Sequence, residues 1–143
     1  MEITKNVFWS TMVKQIKFRV WDSKNKKMRK VECIKFNWDG VPLKINGCID
    51  EECKSENLMQ FTGLLDRSGK DIYEADIVDV WSSGSHCTGV IVWSVPTASF
   101  FIQVPPPECI WHLSGGGDED NEETFEVIGN IYKNPELITK ETV

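Results

Sequence analysis

The 143-residue chain has no unbroken apolar run longer than four residues, Val90 to Trp93. That excludes a membrane-spanning helix, which needs about 20 apolar residues, and nothing resembles the core of a secretory signal. The expected compartment is the cytoplasm, with no membrane partner. Also missing are the glycine fingerprint of dinucleotide-binding folds, a phosphate-binding P-loop, a glycosylation sequon and any internal repeat. Positive charge is not in excess. Sixteen Lys and Arg against 22 Asp and Glu leave a net charge of −6, a field that repels phosphate backbones and anionic membranes. Five cysteines, an odd number in a chain without a secretory signal, are expected to stay reduced.

What is present describes one globular unit. Hydrophobic residues make up 41% and charged residues 27%, the balance of a folded domain rather than a disordered one. At this size folding hides roughly 68 to 70% of the unfolded surface, so neither disulfides nor a structural metal is required. Cys48 and Cys53 with Cys109 and His112 have spacings a tetrahedral zinc site permits, but no pair forms a Cys-x-x-Cys knuckle, so no metal and no cofactor are expected. His86 and Cys87 are adjacent and would point to opposite faces of a strand, with no third group to orient them.

Two charge blocks stand out. Lys24, Lys26, Lys27, Arg29 and Lys30 place five positive charges within seven residues and form the candidate nucleic-acid patch. No aromatic platform interleaves them, so a solvated hairpin tip is the preferred reading. Asp118, Glu119, Asp120, Glu122 and Glu123 follow Gly115-Gly116-Gly117, and this stretch is expected to be a mobile loop dispensable for folding.

Periodicity argues for strands. After an extension over residues 1–13, Ile16, Phe18 and Val20 alternate with Lys17, Arg19 and Trp21, the signature of a strand with one buried face. A polar turn over 22–27 leads to a return strand ending near Trp38. Asp39-Gly40 suits a two-residue type I′ turn, which would put Trp38 opposite Val41, Phe36 opposite Leu43 and Ile34 opposite Ile45 on one apolar face. Pro42 then requires an edge strand. Residues 47–57 read as a junction, and short strands separated by turn signals fill 58–132, which argues for a small antiparallel barrel. Asn134-Pro135-Glu136 predicts a short C-terminal helix. The expected organisation is an extension at 1–13, a β-hairpin subdomain with its junction at 14–57, and a barrel with the helix at 58–143.

Three stretches together resemble a family. They are Lys17 to Asp22, Leu58 to Val78 with its Asp66-Arg67-Ser68-Gly69 and Tyr73-Glu74-Ala75-Asp76 turns, and Ile128 to Leu137. Over roughly residues 14–138 the chain resembles the YopX family of phage and prophage proteins. That resemblance implies an SH3-like β-barrel joined to an N-terminal β subdomain in a bacterial host. It implies no catalytic residues, because the family has no established activity. Ala75 stands where the family's turn usually has glycine, and negative φ is expected there because alanine is tolerated.

The resulting expectation is a non-enzymatic protein-binding module, with a partner that is a host or phage protein or another copy of the chain. Nucleic-acid binding through Lys24–Lys30 is the first alternative, and an uncharacterised enzyme the second. Tyr73, Glu74, Ala75 and Asp76 are read as turn-shaping rather than catalytic, since no third ligand or nucleophile accompanies the two acids. Six tryptophans fit either a core or an interface. For Trp21, Trp38, Trp81 and Trp93, at strand-like positions, the core is the preferred reading.

Overall fold

Alternation builds most of the strands in the computed structural model, which describes residues 15–46, 54–82, 84–105, 109–113 and 123–139. The strands are β1 (Phe18–Asp22), β2 (Lys27–Lys30), β3 (Ile34–Phe36), β4 (Pro42–Ile45), β5 (Leu58–Leu65), β6 (Asp71–Tyr73), β7 (Asp76–Ser82), β8 (Ser85–Ser94), β9 (Ser99–Val104), β10 (Cys109–His112) and β11 (Thr124–Asn130). They form a four-stranded sheet in the order β2-β1-β5-β6, a five-stranded sheet in the order β10-β9-β8-β7-β11, and a separate β3-β4 ribbon. The protein is mostly β, and the larger sheet curls into a half-barrel. Strands β5 and β6, expected within the barrel, hydrogen-bond instead into the sheet of β1.

Two apolar clusters hold these layers. Val78, Val80, Ile91, Ile102 and Phe125 line the inside of the curled sheet, and Ile72 of β6 plugs it from the other sheet. Val20 of β1 and Ile45 of β4 form the smaller cluster with Val31 and Leu58, anchoring the ribbon at its base. Strand β1 is covered on both faces rather than one. Trp21 is buried beside Val20 and stacks on Tyr132 with ring centroids 5.4 Å apart.

Two turns of the middle block stitch the sheets together. The Asp66 carboxylate accepts Ser68 N–H, Ser68 O–H and Lys70 N–H on one oxygen and Val127 N–H of β11 on the other. Burial opposes its ionisation, but the four donors prevail and its pKa lies below the ordinary carboxylate value. Asp22 is lowered as well, by hydrogen bonds from the Asn25 side chain and backbone and by Arg29. An acid with a depressed folded pKa holds fewer protons folded than unfolded, so its stabilisation is complete above the unfolded pKa. That stabilisation is lost as pH falls through the folded pKa. The urea midpoint should therefore drop from about pH 5 downward, with a shallower slope in Asp66→Asn than in the parent. Glu74 and Asp76 are raised by burial and act in the opposite sense, so the comparison between the two proteins, not the parent curve alone, is the test.

The second turn corrects the expectation at Ala75, whose φ is +66°. Its N–H donates to the Ile91 carbonyl of β8 at 2.9 Å, and its carbonyl accepts Ile131 N–H at 3.0 Å. Two hydrogen bonds, one to β8 and one to the turn that follows β11, thus hold the residue in the left-handed region against its Cβ. Releasing that penalty, roughly 1 to 2 kcal/mol, exceeds the roughly 0.4 to 1 kcal/mol that glycine loses through a freer unfolded chain. Ala75→Gly should therefore raise the denaturant midpoint at unchanged slope, and a lowered midpoint would contradict this account.

Three other expectations are corrected. In the ribbon, Ile34 faces Ile45 and Lys35 faces Lys44 as expected, but Phe36 faces Pro42, with Leu43 as an extra, bulged residue. Asp39 does not have the positive φ that a type I′ turn requires. Trp38 therefore lies in the loop, fully exposed, and Trp93 is half exposed, whereas the core was expected for both. The C-terminal helix is a single three-residue 3-10 turn, Pro135–Leu137, which the Asn134 side chain does not cap. Its oxygen accepts Asn130 N–H instead.

Candidate functional site

The tip of the β3-β4 ribbon is built by Asn37-Trp38-Asp39-Gly40. The Asn37 carbonyl accepts Gly40 N–H at 3.1 Å, and its side-chain oxygen accepts Asp39 N–H and Val41 N–H at 2.9 and 2.8 Å. Gly40, at φ +78°, turns the chain back, and Asn37 N–H donates to the Val41 carbonyl at 2.9 Å. This is a type I turn followed by a left-handed glycine, and it directs three residues into the loop.

At the base, Asn46 does the locking. Its side-chain oxygen accepts Glu32 N–H and Cys33 N–H, while its amide donates to the Lys30 carbonyl at 2.7 Å. With Ile45 only 1% exposed, the ribbon is rooted in the core and its far end projects. That end presents Trp38 at 105% exposure and Phe36, Val41 and Leu43 at about half. A well-rooted apolar tip is pre-organised, so a contact would not have to order it first.

Beside the ribbon lies a cleft of about 570 Å³, lined by Ile16, Phe18, Cys33, Ile34, Phe36 and Tyr73 among others. Its rim is bridged by the Lys17–Asp71 ion pair at 2.9 Å, and the Lys17 ammonium sits 4.6 Å above the Phe61 ring. Behind Tyr73 the Arg19 guanidinium covers the ring at 4.6 Å and pairs with Asp76 at 2.7 Å. Burial pushes the Tyr73 hydroxyl's pKa up, with Asp71 adding to the effect. Asp76 accepts Tyr73 N–H on its second oxygen and Glu74 accepts Gln60 N–H, so both acids of the turn are engaged by backbone amides.

The sequence pattern of the family described as YopX protein matches residues 17–139. The chain belongs to the YopX family. Its fold is similar to a crystal structure of a protein from Enterococcus faecalis, at 24% identity and a TM-score of 0.58, covering 88% of this chain and 99% of that one. It is similar also to the crystal structure of protein yopX from Bacillus subtilis, at 23% identity and a TM-score of 0.52, covering 87% and 98%. No curated protein matches the chain.

On this YopX-family fold the basic block divides. Lys24, Lys26, Lys27 and Lys30 are exposed along the β1-β2 turn and strand end, while Arg29 turns inward to Asp22 at 2.6 Å. Cys48, Cys53 and the block 114–122 lie outside the described residues, as does the Cys109 side chain; His112 is exposed on β10. Among the described residues, no group of three His, Cys, Asp or Glu could hold a metal ion. None of the described helices is long and apolar enough to cross a membrane. Cys33 and Cys87 are not in disulfides. On the outer face of the curled sheet, Asp79 accepts the Thr88 hydroxyl and lies 3.4 Å from His86, so the hydroxyl is directed to the carboxylate rather than to the imidazole.

Sequence reasoning missed the exposed tip and the Arg19–Asp76 link. The tip had a readable signal, since Asn at the first and Gly at the fourth position favour a type I turn over the type I′ turn suggested by Asp-Gly alone. The link had none, as its members are 57 positions apart.

Proposed function

We propose that this chain is a non-enzymatic protein-binding module whose contact surface is the β3-β4 tip with the adjoining cleft. The observation that carries the reading is the fully exposed Trp38 among half-exposed Phe36, Val41 and Leu43 on a ribbon whose base is fixed in the core. Large apolar side chains grouped on a surface mark interaction sites, and Trp dominates among residues that carry binding energy. In the phage and prophage setting implied by the family resemblance, the partner is a host protein, a phage protein or another copy of the chain, met in the bacterial cytoplasm. Reading the curled sheet as an SH3-like scaffold supports the same role, with the scaffold holding the tip rather than performing chemistry.

One observation favours a second reading, nucleic-acid binding. Lys35 and Lys44 are exposed on the same ribbon as Trp38, and lysines beside an aromatic side chain can hold a single strand. Val41 and Leu43 weigh against it, because aliphatic side chains offer bases no stacking surface.

A photo-reactive benzoylphenylalanine in place of Trp38, irradiated in a nuclease-treated lysate of the producing cell, tests the proposal. It should crosslink to a polypeptide, and the same group at exposed Glu136 should not. Crosslinks from position 38 that are confined to nucleic acid, or absent, would count against it.

A further inference from the structure

A two-stranded ribbon has two outer edges, and the β3-β4 ribbon blunts only one of them. Asn46 N–H donates to the Cys33 carbonyl and Asn37 N–H to the Val41 carbonyl, with Lys35 facing Lys44 between them. Positions 33, 35 and 37 therefore bond to β4, and the N–H and C=O groups of Ile34 and Phe36 point the other way. Among the described residues β3 pairs with β4 alone, and these groups have no backbone partner. The edge of β4 is different. Pro42 has no N–H to offer, the bulge at Leu43 interrupts the ladder, and Ile45 is buried in the core. The cleft follows the open edge, since Lys30 to Ile34 and Phe36 form one of its walls and no residue of β4 lines it.

We infer that the occupant of this site is an extended segment of another protein, which adds to β3 as a third strand and alternates apolar with acidic side chains. The inference rests on the protein-binding reading above and names the chemistry of the partner. The alternation follows from the two faces of the ribbon. Ile34 and Phe36 line the cleft, so the residues paired with them on an added strand enter it too and must be apolar. On the other face Lys35 stands directly opposite Lys44, both are exposed, and like charges so placed repel. A carboxylate beside Lys35 on the added strand relieves that repulsion. The strand runs antiparallel, the more stable ladder per residue, so its apolar residues supply the amides that bond to Ile34 and Phe36. Trp38 lies two positions beyond Phe36, and the tip thus continues the contact past the last paired residue. A second copy adding its own β3 through both of these residues would set the two copies' Lys35 side chains opposite each other. A nucleic acid has no amide ladder to add, and its phosphates would meet Glu32 and Asp71 at the cleft.

Fluorescence anisotropy tests this with a labelled peptide of about ten residues that alternates Val with Glu, titrated with the full chain up to about 1 mM in roughly 50 mM salt. The peptide should bind. Methylating its Val amides should abolish binding, and methylating its Glu amides should not. A Lys35→Glu/Lys44→Glu variant should bind it at least about tenfold more weakly and should prefer a peptide with Lys in place of Glu. Both positions are exposed, so an unchanged urea midpoint should show that the variant folds. The inference is overturned if the Val-Glu peptide does not bind, if binding survives methylation of the Val amides, or if the parent protein binds the Lys peptide equally well. So is it if a labelled single-stranded oligonucleotide binds in the peptide's place and is lost in the charge-reversed variant. If the peptide fails while position 38 still crosslinks to a polypeptide, strand addition fails and the module reading stands. If those crosslinks are also absent or confined to nucleic acid, both fail.

Discussion

Asp76→Ala should destabilise the protein by about 3 to 5 kcal/mol, the range expected when one partner of a buried ion pair is removed. Asp76 is 1% exposed and the Arg19 side chain 14%, so the guanidinium left behind cannot simply rehydrate. It would retain the Glu74 carbonyl at 3.2 Å, but its buried Nε already has no hydrogen-bond partner. Tyr73 N–H would lose its acceptor as well. Burial raises the Asp76 pKa despite the opposing pull of Arg19, which means the pair does not fully offset the cost of desolvating the carboxylate. The double variant Arg19→Met/Asp76→Ala should accordingly lose less than the sum of the two single losses, because it removes the stranded charge. Urea denaturation of the three variants measures this coupling. A loss under about 1 kcal/mol for Asp76→Ala would show that Arg19 reaches solvent and that the link does not tie the two sheets.

Gly89→Ala should cost about 1 to 3 kcal/mol through overpacking, although alanine is ordinarily the better residue in a strand by roughly 0.5 to 1 kcal/mol. Gly89 is buried on β8 opposite Val78, with β9 paired along its other edge. A Cβ placed there would fall 2.5 Å from Ile102 Cγ2 and 2.8 Å from the Gln103 carbonyl oxygen. The isoleucine could rotate, but the carbonyl belongs to a strand in register with β8 over five residue pairs and cannot retreat alone. Gly129 provides the contrast. There the three atoms nearest a Cβ all belong to the Asn134 side chain, and its amide, the closest part, can rotate away, so Gly129→Ala should cost less. Thermal melts of the two variants should rank them in that order, and equal losses would mean that β9 shifts freely over the core.

The strands were legible from the chain because their signals are local. The strand over Phe18 to Trp21, the polar turn after Asp22 and the Ile34–Ile45 pairing all depend on residues a few positions apart, and each recurs in the fold, although β1 buries both faces rather than the one its alternation suggests. The family pattern was legible for a related reason, as the Asp66 and Ala75 turns are short sequences with particular backbone demands. Tertiary structure decided how those elements met water and one another. Trp21 and Trp38 occupy similar strand-like contexts, yet one stacks on Tyr132 and the other stands in solvent, since burial depends on which distant element covers a face. Ala75 takes a left-handed φ because Ile91 of β8 and Ile131, just beyond β11, claim its N–H and carbonyl, and neither is its neighbour in sequence. Lys35 and Lys44 are visible as charges in the sequence, but only the folded ribbon sets them opposite each other behind an exposed apolar tip. Local propensity thus determined where the strands and turns lie, while exposure, strain and the contact surface came from long-range packing, which no short window of sequence contains.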